Sequence, residues 1–234
     1  MRPFDPLFII EVIPDLLPYL WVTLAVVAGS VVLGTLFGFV LAAAKLSRRR
    51  LYRLLGDGYT CVIRCTPAVI LLFIVFYGLP KFFLEVFDYD INEFNKMFFV
   101  IITFTLLFAA AISEVIRSAY LAIDKGQYEA AVSVGLTPLQ AFYRIILPQG
   151  TIIALPNFTN SFITLLKEGA LAYTIGLIDL LGSGNLIIAR NYGSYALEIY
   201  LALSAIYWGM AILFEKALFG LETRLSRYKK TRSA

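Results

Sequence analysis

Charged side chains inside apolar segments are the first candidates for functional residues in this chain. Glu114 and Arg117 are three residues apart in AAAISEVIRSAY, so both lie on one face of a helix. Lys167 and Glu168 are neighbours in the apolar stretch FITLLKEGALAYTIG. Charges at membrane depth are costly and face protein or water. Each pair is therefore predicted either to form salt bridges that order the helices or to meet the charged groups of a small solute and gate its path.

Three more polar side chains are candidates for lining such a path. Arg64 lies in CVIRCTP, and Asn157 and Asn160 are about one helical turn apart in ALPNFTNSF. The two asparagines could line the route, or they could hydrogen-bond one helix to another, and we favour the second role.

Several kinds of chemistry are excluded by residues that the sequence lacks. The chain has no histidine, which removes Ser-His-Asp and Cys-His catalysis and any histidine metal site. No GxxxxGK followed by Ser or Thr occurs, so the chain has no phosphate cradle of that kind. Cys61 and Cys65 are one helical turn apart, a poor geometry for a disulfide and too few ligands for a metal. We expect both to be small core residues, and we predict no metal site.

The elements that position these residues are predicted to be membrane-spanning helices. Of the 234 residues, 60% are hydrophobic and 15% are charged, and the mean hydropathy is +0.80. The apolar runs are continuous rather than alternating, which favours helices over barrel strands. The sequence therefore predicts one all-α polytopic domain over residues 1–234, with five spans at about 16–44, 59–80, 97–121, 150–180 and 196–220.

Glycines mark two places where these helices should depart from simple packing. Gly34 and Gly38 have the four-residue spacing that lets another helix approach closely. Gly169 and Gly176 offer places for the fourth span to break, and broken helices line the midplane sites of many transporters.

The distribution of charge predicts the orientation of the spans. The second loop carries an excess of acidic residues, and the first carries five basic ones: Lys45, Arg48, Arg49, Arg50 and Arg53. The positive-inside rule then places the first loop, the segment at about 122–149 and the basic tail LETRLSRYKKTRSA in the cytoplasm, beside anionic lipid, and the N-terminus outside. The N-terminal stretch MRPFDPLFII has no basic region followed by a cleavage site, so we expect no cleaved signal peptide.

The cytoplasmic segment begins with a stretch that predicts a short, well-terminated helix. Asp124 to Val134 can form a helix with Ala130, Ala131 and Val134 on an apolar side. Gly135 follows where a left-handed residue would end it.

A second helix is predicted to follow at once. Thr137 suits the N-cap, Pro138 the first helical position, and Gln140 completes a capping box. Pro148 is predicted to stop this helix, so that two short helices lie at a fixed angle on the membrane face. Apolar residues recur along it at three- to four-residue spacing: Leu139, Phe142, Ile145 and Ile146.

Three interpretations of this helix pair compete. It could be an interfacial amphipathic loop, or a DNA-binding helix-turn-helix, or a docking element for a cytoplasmic partner. The DNA interpretation is weak because LQAFYRII would be the recognition helix, and it has one arginine among bulky apolar residues. We therefore predict no nucleic-acid partner and favour docking into a groove of another protein.

This stretch resembles the EAA loop of the permease subunits of ABC importers. The motif positions are Glu129, Ala130, Ala131, Gly135, Ile145, Leu147 and Pro148. IDKGQYEAA, RCTP, EVIR and ILPQ further resemble the polar amino-acid uptake branch, and the resemblance covers nearly the whole chain. It departs from the family at residues 167–170, KEGA where K-D-T-S is expected, and at Ile152, where an arginine is expected.

The resemblance implies a five-helix subunit of a bacterial cytoplasmic (inner) membrane importer for a polar amino acid, with the N-terminus outside. It implies that the loop is a coupling helix seated in a separate ATPase subunit, which binds ATP and Mg, while this chain holds no cofactor and hydrolyses nothing. Further implied partners are a second permease copy or paralogue and an extracytoplasmic substrate-binding protein. The implied coupling residues are Glu129, Ala130, Ala131, Gly135, Leu139 and Pro148.

The rival function is a secondary transporter or a channel subunit. Such proteins usually carry inverted repeats and ten or more spans, or an ion filter, and the sequence shows neither. A membrane-embedded enzyme without histidine would need an Asp pair or a Ser-Lys dyad, and Asp179 is alone in its neighbourhood.

Overall fold

Helices are the regular secondary structure of the described residues. The computed structural model describes residues 3–232, with side chains through residue 225, and no strand occurs in that range. The basic tail predicted to face the cytoplasm lies, from residue 226 on, outside the described side chains.

The helices are numbered in chain order. The N-terminal half contains α1 (Pro6–Glu11), α2 (Ile13–Leu16), α3 (Leu20–Leu46), α4 (Arg50–Cys65), α5 (Ala68–Phe73) and α6 (Leu79–Phe87). The C-terminal half contains α7 (Lys96–Leu121), α8 (Lys125–Ser133), α9 (Pro138–Ala141), α10 (Leu147–Glu168), α11 (Leu180–Arg190) and α12 (Ala196–Arg232). Two 3-10 segments, Leu17–Tyr19 and Gly169–Ile175, and two π-helical turns, Ile74–Gly78 and Phe142–Ile146, connect some of them.

The described residues supply enough apolar helices for the predicted spans. Four helices are long and apolar enough to cross a membrane, and a bent pair provides a fifth if it is counted as one span. The all-α polytopic prediction is confirmed. The spans are Pro6–Leu46, Ala68–Phe87, Lys96–Leu121 and Ala196–Leu225, with Pro138–Ile175 and Leu180–Arg190 as the pair bent by 48°.

The second span begins later than predicted. The expected span at 59–80 is divided, because α4 ends at Cys65 and the apolar helix starts again at Ala68. Thr66 is extended, with ψ of 125°, since a residue before a proline is disfavoured in the helical region and Pro67 follows it. The prediction that Cys61 and Cys65 are core residues is also wrong, because both thiols are free and exposed on α4.

Prolines inside the spans are accommodated by widened turns. Pro80 and Pro148 each lie two residues after a π-helical turn and in the first turn of the α-helix that follows it. A proline lacks the N–H for an α-helical bond and crowds the carbonyl four residues earlier, and a wider turn accommodates both. The prediction that Pro148 stops the helix is therefore wrong, since the chain stays helical from Pro138 to Ile175.

Close packing of α3 against α7 forms the centre of the fold. A Cβ placed on Gly34 would be 3.0 Å from Phe108, and one on Gly38 would be 3.0 Å from Ile112. The two helices therefore approach as the spacing of these glycines predicted.

Contacts at the helix ends place the N-terminus and the α8–α9 region at opposite ends of the bundle. At one end, the Thr23 hydroxyl in the first turn of α3 accepts a hydrogen bond from the Leu180 amide at 3.1 Å. At the other end, Lys45 in the last turn of α3 reaches Ser113, near the end of α7 that leads into α8.

Candidate functional site

A rigid elbow, here defined as residues 124–146, follows the third span. The Asp124 carboxylate caps α8 by accepting a hydrogen bond from the Gly126 amide at 2.6 Å. Gly135 has φ of +90°, a conformation that favours glycine, and ends the helix as predicted. Its amide donates to the Val132 carbonyl at 2.9 Å, and the Leu136 amide donates to the Ala131 carbonyl at 3.2 Å. These two bonds form a Schellman motif, which fixes the direction in which the chain leaves α8.

The second half of the elbow is built by a capping box. The Thr137 amide donates to the Gln140 side chain at 3.0 Å, and the Gln140 amide donates to the Thr137 hydroxyl at 3.3 Å. Pro138 occupies the first helical position. These three predictions are confirmed. The prediction of two short helices is nevertheless wrong, because only α8 is a separate short helix. The predicted second helix, α9, continues through the π-helical turn into α10 and forms the beginning of the fourth span.

The elbow presents both apolar and acidic groups to its surroundings. Val134 is 78% exposed, Leu139 is 66% exposed and Tyr143 is 58% exposed. Glu129 and Ala130 are exposed, and the Glu129 carboxylate has no ion-pair partner among the described residues. The sequence-predicted coupling residues thus divide into two groups. Glu129, Ala130, Gly135, Leu139 and Pro148 are exposed, whereas Ala131 is buried.

A cluster of charges joins three helices next to the elbow. Lys45 of α3 donates hydrogen bonds to Glu114 at 2.6 Å, to Ser113 at 2.9 Å and to the Thr60 hydroxyl on α4. Arg117 donates two hydrogen bonds to the other oxygen of Glu114, at 2.9 and 2.8 Å. Of the two roles left open for Glu114 and Arg117, the structure shows the salt bridge that orders helices.

The burial of Lys45 in this cluster was not predicted from the sequence. It was assigned to the first loop with the arginines that follow, but it lies in the last turn of α3 and its side chain is 1% exposed. A buried ammonium needs charged and polar partners, and Glu114, Ser113 and Thr60 supply them. Gly56 makes room for the lysine stem, because a Cβ there would be 2.9 Å from Lys45 Cγ.

A groove of about 480 Å³, lined by both polar and apolar side chains, lies between the break after α4, the middle of α7 and the second half of α10. It brings together Arg64, Asn160 and Glu168 from the predicted path residues. Three hydroxyl residues that sequence reasoning did not single out also line it: Thr66, Ser161 and Thr164. The signal that could have found two of them is their helical spacing, since Ser161 and Thr164 share a face with Asn160 and Glu168.

The other predicted path residues lie elsewhere. Asn157 and Lys167 are exposed and do not line the groove, and Glu114 and Arg117 belong to the charge cluster. The favoured role of Asn157 and Asn160, bonding one helix to another, is not seen. No side-chain hydrogen bond joins either asparagine to the described residues, and their carbonyls accept from Ser161 and Thr164 at 3.0 Å within α10.

The fourth span breaks at the two predicted glycines. α10 ends at Glu168, the 3-10 segment begins at Gly169, and Gly176 has φ of +78°. Lys96, at the start of α7, donates a hydrogen bond to the Gly176 carbonyl at 3.3 Å, which satisfies a backbone group that the break leaves free. Asp179 then caps α11 by accepting from the Gly182 amide at 2.8 Å.

Comparison with known proteins identifies the family. Residues 34–227 match the family described as the inner membrane component of binding-protein-dependent transport systems. The chain belongs to this family. The resemblance to importer permeases is therefore confirmed, and the range that defines the family includes the elbow, the charge cluster and the groove. Within the described residues, no group of three or more Cys, Asp or Glu side chains is arranged to hold a metal ion.

Relatives and a solved structure within this permease family match almost the whole chain. The L-cystine transport system permease protein TcyL of Bacillus subtilis is 37% identical over 97% of this chain and 93% of its own length. The probable amino-acid ABC transporter permease protein PatM of Vibrio harveyi is 33% identical over 96% and 97% of the two chains. A crystal structure of an amino acid ABC transporter with histidines superposes with a TM-score of 0.80 at 31% identity, covering 95% of this chain and 100% of the other.

Proposed function

We propose that this chain is the membrane-spanning subunit of an ATP-driven importer for amino acids. It is a single permease domain that pairs with a second copy or a paralogue to enclose a path, and separate ATPase subunits bind the ATP and Mg. The observation that carries this proposal is the elbow, a stiff protruding turn on a membrane fold of the binding-protein-dependent family. The amino-acid cargo is supported by the names of relatives such as TcyL and PatM.

The elbow is suited to docking into a cleft of an ATPase. Exposed Val134 and Leu139 supply the apolar contact, and Glu129 supplies a carboxylate that has no ion-pair partner among the described residues. The backbone bonds around Gly135 hold these groups at fixed positions, so little conformational entropy is lost on docking. Ala130 forms part of the same exposed surface, while Ala131 lets α8 pack against its own subunit.

Movement at the elbow would be transmitted to both sides of the groove. The elbow follows α7 directly and continues into α10, and these helices supply Phe108 and Glu168 to the lining of the groove. The Lys45–Glu114 pair ties α7 to α3, and the hydrogen bond from Lys45 to Thr60 adds α4. Because Arg64 lies in the last turn of α4, displacement of one of these helices changes the shape of the groove.

The groove has the chemistry to receive the two charged ends of an amino acid. The Arg64 guanidinium would bind the carboxylate, and Glu168 would bind the ammonium group. Hydroxyls of Thr66, Ser161 and Thr164 supply further hydrogen bonds. The lining thus contains one cation and one carboxylate, which fits a net-neutral zwitterion. Glu114 and Arg117 serve to order the bundle around this path.

The orientation follows from charge. The basic first loop and the elbow are proposed to face the cytoplasm, so the end of the bundle that holds the N-terminus and the break at Gly176 faces outward. A binding protein would deliver the amino acid to that outer end. Delivery by a binding protein is supported by the family description, which names a binding-protein-dependent system.

The proposal is tested by Gly135→Leu in vesicles reconstituted with the ATPase and the binding protein. A Cβ at Gly135 would meet no atom within 4 Å, so the substitution acts through the backbone, where φ of +90° costs a leucine roughly 1–2 kcal/mol. We expect amino-acid uptake and transport-stimulated ATP hydrolysis to fall together. Gly135→Asn is the matched control, because asparagine tolerates the left-handed conformation, and it should keep most of both activities.

Two results would overturn the proposed function. One is normal uptake and normal stimulated hydrolysis in Gly135→Leu. The other is amino-acid transport by the purified chain without an ATPase, which would make it a secondary transporter or channel.

A further inference from the structure

α4 lies at membrane depth, although among the described helices it is not one of those apolar enough to cross a membrane. The Tyr59 hydroxyl donates a hydrogen bond to the Leu106 carbonyl in the middle of α7 at 3.0 Å. Gly56, one turn earlier, packs against the stem of Lys45 at the end of α3. α4 therefore runs beside two spans, from the elbow end of the bundle to the groove at its last turn.

The exposed surface of α4 has one apolar face and one charged face. Leu51, Leu55 and Val62 are 64%, 61% and 65% exposed, and their spacing places them on one side of the helix. A second exposed series recurs at intervals of four, four and three residues, so it forms a separate stripe: Arg53, Asp57, Cys61 and Arg64. The apolar face suits contact with lipid, whereas charges at membrane depth face water or protein.

Snorkelling to the membrane surface does not account for this stripe. Arg53 lies in the first turn of α4, where its long side chain can reach lipid headgroups. Arg64 lies about 16 Å further along the helix axis, at 1.5 Å per residue, and the side chain of Asp57 is too short to snorkel. None of the three has an ion-pair partner among the described residues. The stripe therefore needs an environment other than lipid.

We propose that α4 lines an aqueous exit that leads from the groove to the elbow end of the bundle. This inference rests on the proposed function, which assigns that end to the cytoplasm and places the amino acid in the groove. Arg64 lines the groove and begins the stripe, so the water of the groove continues along α4. The amino acid then meets charges of alternating sign. Its carboxylate passes from Arg64 towards Arg53, and Asp57 between them attracts its ammonium group.

A polar stripe on α10 supplies a second wall of this exit. Asn160 and Thr164 line the groove, and Asn157 lies about one turn nearer the elbow on the same exposed side. The amide of Asn157 can donate to the carboxylate and accept from the ammonium group of the passing solute. The polar stripes of α4 and α10 thus both begin in the groove and continue towards the elbow.

Cys61 allows the aqueous exit to be tested, because its thiol belongs to the charged stripe. Cys65→Ala leaves it as the single cysteine of the chain, and a charged, membrane-impermeant methanethiosulfonate is added to inverted membrane vesicles, which expose the cytoplasmic side. The reactive thiolate forms in water, so Cys61 should be modified at least about tenfold faster than the control. The control is Val62→Cys on the apolar face, combined with Cys61→Ala and Cys65→Ala. Equal rates of modification, measured from the mass of the chain, overturn the inference.

A charge variant tests the passage of the amino acid itself in vesicles reconstituted with the ATPase and the binding protein. Asp57→Asn should lower the maximal rate of uptake about three- to tenfold and change KM by less than about twofold, because Asp57 acts after the solute has bound in the groove. Asp57→Glu keeps the charge and should retain most of the rate. An unchanged maximal rate in Asp57→Asn overturns the exit role.

Failure of this inference is distinguishable from failure of the proposed function. If the unaltered chain transports amino acids without an ATPase, the proposed function is refuted, and the comparison of Cys61 with Val62→Cys still shows whether water reaches α4. If uptake requires the ATPase but Cys61 reacts no faster than the control, only the aqueous exit is refuted.

Discussion

Replacing Lys45 by methionine should destabilise the bundle strongly. The Lys45 side chain is 1% exposed and holds Glu114 at 2.6 Å, and methionine keeps its volume but not its charge. Removing one partner of a buried ion pair typically costs 3–5 kcal/mol, because the other charge is left without compensation. Glu114 is 28% exposed and keeps both hydrogen bonds from Arg117, which places the loss of unfolding free energy at about 3 kcal/mol.

The loss can be measured as thermal unfolding of the purified protein in detergent. For a chain of this size, about 3 kcal/mol corresponds to a fall in Tm of roughly 6–12 °C. Lys81→Met is the matched control, since Lys81 pairs with Glu85 at 3.8 Å and both side chains are largely exposed. The control should change stability by less than about 0.5 kcal/mol.

A second substitution identifies the cause. Glu114→Gln should cost less stability in the Lys45→Met background than in the unaltered chain, because one of its two cationic partners is then already gone, whereas the Arg117 pair is lost in both. If Lys45→Met unfolds at the same temperature as Lys81→Met, or if Glu114→Gln costs the same in both backgrounds, the buried ion pair does not hold these helices together.

Two further substitutions test the packing and the break of the spans. Gly34→Ala should lower the thermal midpoint by the equivalent of about 1–3 kcal/mol, because its Cβ would lie 3.0 Å from Phe108. Gly58→Ala is the control: a Cβ there would meet no atom within 4 Å, so the substitution should raise the thermal midpoint slightly. An equal fall of the midpoint in Gly34→Ala and Gly58→Ala would refute the close packing of α3 against α7. Asp179→Ala should lower the free energy of unfolding by about 1–2 kcal/mol, because it removes the hydrogen bond that caps α11 at the Gly182 amide. Asp179→Asn can still accept this bond and should unfold closer to the unaltered chain. Equal thermal midpoints for the unaltered chain, Asp179→Ala and Asp179→Asn would contradict this role of the cap.

The elbow was predictable because its signals are local in sequence. Asp124, Gly135 and the pair Thr137 and Gln140 each act on backbone groups within five residues, so a single sequence contains what fixes them. The number of spans was predictable for a related reason, since the length of an apolar run is set by the thickness of the bilayer.

The charge cluster was only half predictable. Glu114 and Arg117 are three residues apart, so their pairing follows from helical geometry. The partners of Lys45 at Thr60, Ser113 and Glu114 are 15, 68 and 69 residues away, and nothing in the local pattern distinguishes it from the loop arginines that follow. Its burial is decided by tertiary packing, including the space that Gly56 leaves for its stem.

The sequence indicated which types of residue would line the groove, but not which individual residues would do so. Arg64, Asn160 and Glu168 line one groove, whereas Asn157 and Lys167, which were grouped with them because they are close along the chain, do not. Neighbours on a helix point in different directions, and only the rotation of α10 within the bundle selects which of them meet Arg64.

That rotation is set by the widened turn at Phe142–Ile146. A π-helical turn holds more residues than an α-helical turn, so the side chains beyond it are out of phase with those before it, by about 100° for each extra residue. A helical wheel drawn without interruption from Pro138 would therefore misplace every polar residue of α10. The face of α10 that is directed at Arg64 therefore depends on the π-helical turn at the end of the elbow, which accommodates Pro148.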